Sequence, residues 1–482
     1  MVFSSLLFIY IFLPANLVCY ALFSDIRKKN ICILLFSLLF YSWSSPKYLV
    51  LLMIMALINY FGALTIDKYK GTSKATIALV VDLTASLGTL AYFKYLGFFV
   101  TVFNSISGWA GAVPSIVLPV GISFYTFQLV SYVADVYMGS IEADKSFGRV
   151  LLYTSLFHQC IAGPIVRYKD VADDLRQRKT DINSMNDGIS RFCMGLAKKT
   201  LLANSCASIL EMIMPESLSQ ISSATMLAAW MSGLLYMLQI YLDFSAYSDM
   251  AIGLGKMTSF NYKENFNYPY TAVSVTDFWH RWHISLSTFF RDYVYIPLGG
   301  NRKGMFRQLL NMLVVWALTG LWHGADYNFV LWGLYYFVFL ALEKLFLLRF
   351  FNMLPAVAGR VIGRIYTFII VFFGWIIFRF TDLAMAGAMV KAMFGLNGNS
   401  FTNLETNTFA LNNIMFIAVC IIACTPLVKN IAIWLRNKSC VGSVYYMYVY
   451  NTLNIILPVI LLFMSTIALV GNSYNPFIYF RF

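Results

Sequence analysis

LLNMLVVWALTGLWHGAD, residues 309–326, runs from Leu309 to Trp322 without a charged side chain and then meets His323, Gly324, Ala325 and Asp326. A run of this kind reads as a helix in hydrocarbon, where a span takes about 20 mostly apolar residues. The imidazole at its end stands at or below the membrane interface. A titratable ring there is costly and marks a functional site by default. Neutral imidazole can take a proton from a hydroxyl and return one to a thiolate at physiological pH. The alternative is a core histidine bonded to a backbone carbonyl.

The rest of the chain has the same character. Of its 482 residues 60% are hydrophobic and 12% charged, with a mean hydropathy of +0.69. Soluble domains carry roughly 25% charged residues. So much apolar surface needs lipid as part of its solvent, and backbone in lipid must pair within helices or a closed barrel. The long runs lack the two-residue alternation of a barrel, so the fold class is an all-α polytopic membrane protein. Candidate spans fall at 31–45, 48–65, 76–93, 95–103 with 116–138, 148–165, 194–214, 224–256, 308–323, 327–348, 361–380, 384–394, 409–436 and 446–470. Some are too short to cross alone, which predicts about 11–13 membrane segments including re-entrant pieces.

Charge orients the bundle. The net charge of +13 reflects topology rather than nucleic-acid binding, because Lys and Arg collect in cytoplasmic loops. Two polar stretches, about 166–199 and 257–307, hold the basic clusters, whereas Asn104–Val117 is uncharged and Gly395–Asn412 carries only Glu405. The two basic loops are therefore read as cytoplasmic. Val2–Phe23 has no basic residues ahead of it and Arg27, Lys28 and Lys29 behind it, the reverse of a secretory signal, so it reads as a retained helix. The eight cysteines form no CxxC pair and mostly lie in or beside apolar runs, as buried thiols do.

Three of the four histidines, His280, His283 and His323, fall in or just after the second polar loop; the fourth is His158. In Asp277-Phe278-Trp279-His280-Arg281-Trp282-His283, a helical reading puts His280 beside His283 and Trp279 beside Trp282, with Asp277 and Arg281 in pairing register. An interfacial aromatic belt is the simpler reading. A second cluster, Gln239, Tyr241, Asp243, Ser245, Tyr247, Ser248 and Asp249, follows the apolar run 226–238. It either binds substrate or locks helices together. Metal binding by His280, His283 and His323 is disfavoured, since HxxH alone is weak and no Cys or Glu stands at zinc-type spacing.

Taken together, DFWHRWHISLSTFFRDYVYIPLGGNRKG (277–304) and LTGLWHGADYNFVLWG (318–333) resemble the core of the membrane-bound O-acyltransferase superfamily. The likeness is closest to the bacterial branch that O-acetylates exported polysaccharides such as alginate. FYTFQLVSYVADVY (124–137), AGPIVRY (162–168), QIYLDFSAYSDMAIGLG (239–255) and NPFIYFRF (475–482) extend it over most of the chain.

The resemblance implies a single transmembrane domain over 1–482, a ring of tilted helices around a funnel, in a bacterial inner membrane. It implies that His323 is the catalytic histidine and His283 the second polar position, with His280 of lower rank. Gln239, Tyr241, Asp243, Ser245, Asp249, Trp279, His280, Arg281 and Trp322 are then candidates for substrate contact. The expected donor is acetyl-CoA, a substrate rather than a cofactor, with Arg281, Arg291, Arg302 and Lys303 available for its phosphates. The expected partner is an extracytoplasmic acetyltransferase of the SGNH type or similar, alongside membrane lipid. The end 475–482 is similar to the tail of a small partner peptide of the D-alanylation system, which makes Tyr479 a candidate acyl acceptor. D-alanyl transfer and a non-catalytic transporter or flippase are the rival readings.

Overall fold

The computed structural model describes residues 1–471 apart from 45, 110, 162, 180 and 441–443. Every regular element among these is helical. Eight described helices are long and apolar enough to cross a membrane: α1 (Pro46–Lys68), α2 (Ser73–Ser107), α3 (Met226–Met257), α4 (Gly304–His323), α5 (Tyr327–Met353), α6 (Ala356–Arg379), α7 (Leu404–Ala423) and α8 (Val444–Gly471). Shorter apolar helices cover Phe8–Ala21 and Leu383–Met393.

Local chemistry explains where the helices stop. Residues 95–103, expected to join 116–138, instead continue α2 through Lys94, because neither proline nor glycine interrupts Ala91–Leu96. That helix ends where Gly108 takes φ +66°, a left-handed cap that glycine adopts freely. The expected span 148–165 is helical only over Phe147–Ser155. The chain beyond, with Gly163 at φ +120° and Pro164, is irregular yet buried. Side chains satisfy its backbone: Phe157 N donates to Ser37 Oγ (3.2 Å), Tyr153 Oη to Val166 O (3.0 Å) and Gln159 Nε2 to Tyr153 O (2.8 Å). Non-helical backbone at membrane depth survives on such terms. Pro426 likewise divides the run 409–436 into α7 and a helix over Leu427–Cys440.

The described residues group into two compact units. The first takes 1–192, 247–264 and 288–297. Its interior holds the buried helix Ile122–Tyr137 and a set of paired charges: Asp135 with Lys169 (2.8 Å), Arg167 with Asp292 (2.8 Å) and Asp144 with Arg149 (2.6 Å). Tyr168 Oη donates to Asp144 as well. His158 is fully buried here against the Tyr262 hydroxyl (3.1 Å).

The second unit takes 193–246, 265–287 and 298 onward. Its core is aromatic: Trp279, Trp282, Trp316, Trp332, Tyr336 and Trp375 are all buried. α4 and α5 approach closely at two glycines. A methyl on Gly320 would lie 2.4 Å from Phe329 O, and one on Gly333 would lie 2.4 Å from Trp316 O. Only hydrogen fits there, and that contact presents the last turn of α4 to α5.

Candidate active site

The second unit assembles the site around Trp322, the penultimate residue of α4. Its ring lies 4.9 Å from that of His323 and 5.7 Å from that of His283. The two imidazoles named in the sequence thus flank one indole. His323 ends α4 and is 6% exposed. Trp332 of α5 and Phe378 of α6 meet it edge-on, with ring centres at 4.9 and 5.1 Å. Three helices therefore fix the ring by packing.

His283 is held differently. The helix Val275–Arg281 stops before Trp282, and His283 follows at φ +45°. A non-glycine residue in that region is strained and persists where its surroundings over-determine it. Asn265 supplies the determinant, because its Oδ1 accepts from Ser285 Oγ (2.8 Å) and Ser285 N (3.1 Å) and lies 3.2 Å from His283 Nδ1. An oxygen acceptor makes Nδ1 the protonated nitrogen and leaves the lone pair on Nε2. Nε2 has no hydrogen-bond partner among the described residues. Phe244 of α3 packs edge-on to the ring at 4.7 Å. Burial pushes the pKa of His283 down to about 3, so the ring is neutral at physiological pH.

The helix carrying Trp279 and His280 is tied to α5 at its start. Glu343 is buried and accepts from Val275 N (2.6 Å), Thr276 N (2.8 Å) and Thr276 Oγ1 (2.6 Å). An acid at a helix N-terminus satisfies orphan amides and meets the positive end of the helix dipole. Neither Glu343 nor Asn265 was singled out from sequence. Each acts across a long chain separation, and no short motif announces it.

The remaining candidates divide. Asp277 and Arg281 pair at 2.8 Å, as their spacing predicts. His280 and His283 do not share a helical face, since the helix ends between them; His280 is exposed and His283 buried. Trp279 packs into Trp316, Trp332 and Tyr336, with ring centres at 4.7–5.5 Å. In α3, Gln239 is buried and Tyr241 stacks near Tyr270 (5.2 Å) and Trp282 (6.0 Å). Asp243 pairs with Lys199 at 2.8 Å with both side chains buried, and Lys198 donates to Ser245 (3.2 Å). Asp249 belongs to the first unit, where Arg191 bridges it (2.7 Å) to Glu264 (2.6 Å). Of the cations proposed for phosphate, Arg291 pairs with Asp292 (2.7 Å), whereas Arg302 and Lys303 are exposed. Tyr479 lies outside the described residues. Among the described residues no three His, Cys, Asp or Glu side chains gather as a metal would require.

Comparison with known proteins places these residues in a family. The model of the membrane-bound O-acyltransferase family matches residues 141–387, which include both buried histidines of the site. The chain is 35% identical to the "Probable alginate O-acetylase AlgI" of Pseudomonas putida, covering 100% of both proteins. It is 38% identical to the protein of that name from Pseudomonas aeruginosa, over 85% of this chain and 80% of the relative. Identity to the peptidoglycan O-acetyltransferase of Helicobacter pylori is 31%, over 100% of this chain and 98% of that one. With its helical membrane fold and paired buried histidines on the matched segment, this chain belongs to the membrane-bound O-acyltransferase family.

Proposed function

We propose that this protein moves an acetyl group from cytosolic acetyl-CoA across a bacterial inner membrane for O-acetylation of an extracytoplasmic polysaccharide of the alginate or peptidoglycan kind. The observation that carries this reading is the pair of buried imidazoles flanking Trp322. It is supported by the O-acetylating activities named for the relatives. In this mechanism His323 removes the proton of the acceptor hydroxyl, the oxygen attacks the thioester carbonyl, and the C–S bond breaks. The proton then passes from His323 to the departing thiolate, giving an ester and free CoA. His283, neutral with its lone pair on Nε2, orients or assists the same transfer. Arg281, Arg302 and Lys303 meet the phosphates of the donor on the cytoplasmic side.

Tyr479 serves as the first acceptor, and an extracytoplasmic transferase of the SGNH type or similar takes the acetyl onward to the polymer. The chain acts as one transmembrane domain. Purified protein in liposomes, given labelled acetyl-CoA, tests the reading. His323→Ala should lower CoA release by about 10²–10⁴-fold, the range for loss of a general base, with the fold retained. Wild-type release by a folded variant would overturn it. Tyr479→Phe should abolish labelling of the protein while keeping the shape of the tail. Full polymer acetylation by that variant would dispose of the relay.

A further inference from the structure

In the first unit, α1 and α2 pack antiparallel across the turn 69–72 and leave between them an open groove of about 460 Å³. That size falls within the roughly 300–1,000 Å³ of ligand pockets. Its walls are apolar and outward-facing: Phe61, Ile77 and Val81 are each more than half exposed. Its two ends are not. At the turn, the ammonium of Lys74 lies 5.1 Å from the centre of the Tyr69 ring and that of Lys68 lies 5.4 Å from it. Lys70 adds a third positive charge to the same turn.

At the inner end is Asp82, 2% exposed, with neither carboxyl oxygen hydrogen-bonded among the described residues. Gly62 makes room for it, since a methyl there would lie 2.1 Å from Asp82 Oδ2. In the neighbouring polar pair, Asn59 Nδ2 donates to Ser86 Oγ at 2.9 Å. A polar group held at this depth without a partner is costly and marks an interaction yet to be made.

We propose that this groove binds an anionic phospholipid of the cytoplasmic leaflet, with its phosphate on Lys68, Lys74 and Tyr69 and an acyl chain along Phe61, Ile77 and Val81. Basic pockets between transmembrane helices on the cytoplasmic side are a recurring form of anionic-headgroup recognition. The charge bias that orients the bundle puts this turn on that side. Gly62 lies six residues in from Lys68, about 9 Å along the helix. A lipid drawn into the groove brings the ester carbonyl oxygens of its glycerol backbone to this depth, where the carboxyl of Asp82 in its protonated form donates to one of them. Charge complementarity selects lipid over a partner helix, because the groove narrows to one carboxyl and opens on clustered ammonium groups.

The test uses the full chain in a neutral detergent, with native mass spectrometry and thermal melting in parallel. Phosphatidylglycerol should be retained and raise the melting temperature, while phosphatidylcholine with the same chains and inorganic phosphate alone should do neither. Lys68→Gln with Lys74→Gln, both at exposed positions, should weaken phosphatidylglycerol about thirtyfold, as expected for two near-surface lysines. Asp82→Leu should shorten lipid retention while preserving the preference for negative headgroups. Equal retention of the two lipids, binding of phosphate alone, or unchanged phosphatidylglycerol affinity in the double variant would each overturn the assignment. Acyl transfer by His323 does not enter any of these readouts.

Discussion

Asn265 decides what His283 can do. Its Oδ1 takes the hydrogen of Ser285 and faces His283 Nδ1, which sets the tautomer of a ring whose backbone is strained at φ +45°. Removing that acceptor leaves Nδ1–H with only the Ser285 hydroxyl, 3.3 Å away, and costs up to about 1–3 kcal/mol, the range for a poorly satisfied buried group. Asn265→Ala should therefore lower the melting temperature and slow CoA release together. His280→Ala, at an exposed ring outside the cluster, should change neither. A variant at 280 as impaired as one at 283 would show that the two act as a unit after all. The neighbouring DFWHRWH stretch teaches the same lesson. The Asp277–Arg281 pair was legible because four-residue spacing on a helix is a local rule. The place of His283 was not, because the helix ends two residues earlier than the pattern suggests and the stabilising contact comes from 18 residues away.

At the scale of elements, the site depends on two joints. One is the α4–α5 contact at Gly320 and Gly333, where backbone oxygens stand 2.4 Å from any added methyl. Gly333→Leu should force the helices apart, cost roughly 1–3 kcal/mol as overpacking does, and shift His323 out of its aromatic socket. Circular dichroism should still report a helical protein while acyl transfer is lost. The other joint is Glu343, which fastens the start of the helix 275–281 to α5. Glu343→Ala strands two backbone amides and should lower the melting temperature, with activity falling in proportion to the loss of order in that helix. Most helix positions were readable from apolar runs, and their ends from Gly108 and Pro426. The broken stretch 156–167 was not, because its backbone is satisfied by side chains of distant residues.

For the whole molecule, each compact unit buries one or more imidazoles. His283, in the polar loop between α3 and α4, is pushed down from 6.5 to about 3 by burial. A histidine whose folded pKa is depressed contributes stability above its unfolded pKa and loses it below, because the unfolded chain takes up a proton that the folded one refuses. Thermal melting in detergent should be level above about pH 7 and fall progressively as the pH drops from about 6.5 toward 3. His283→Asn should flatten part of that slope. A slope unchanged in the variant would mean that His283 is protonated in the folded state.

Composition and the length of the apolar runs were enough to determine a helical membrane protein, because the demand for paired backbone in hydrocarbon is local and leaves the chain few options. Those same runs isolated His323, since an ionisable ring at the end of an apolar helix is conspicuous in one dimension. Only the tertiary structure decided that Trp322 lies between the two imidazoles and that Asn265 and Glu343 hold the arrangement. Those are contacts between residues far apart in the chain, where packing and hydrogen-bond satisfaction rather than sequence spacing choose the partners.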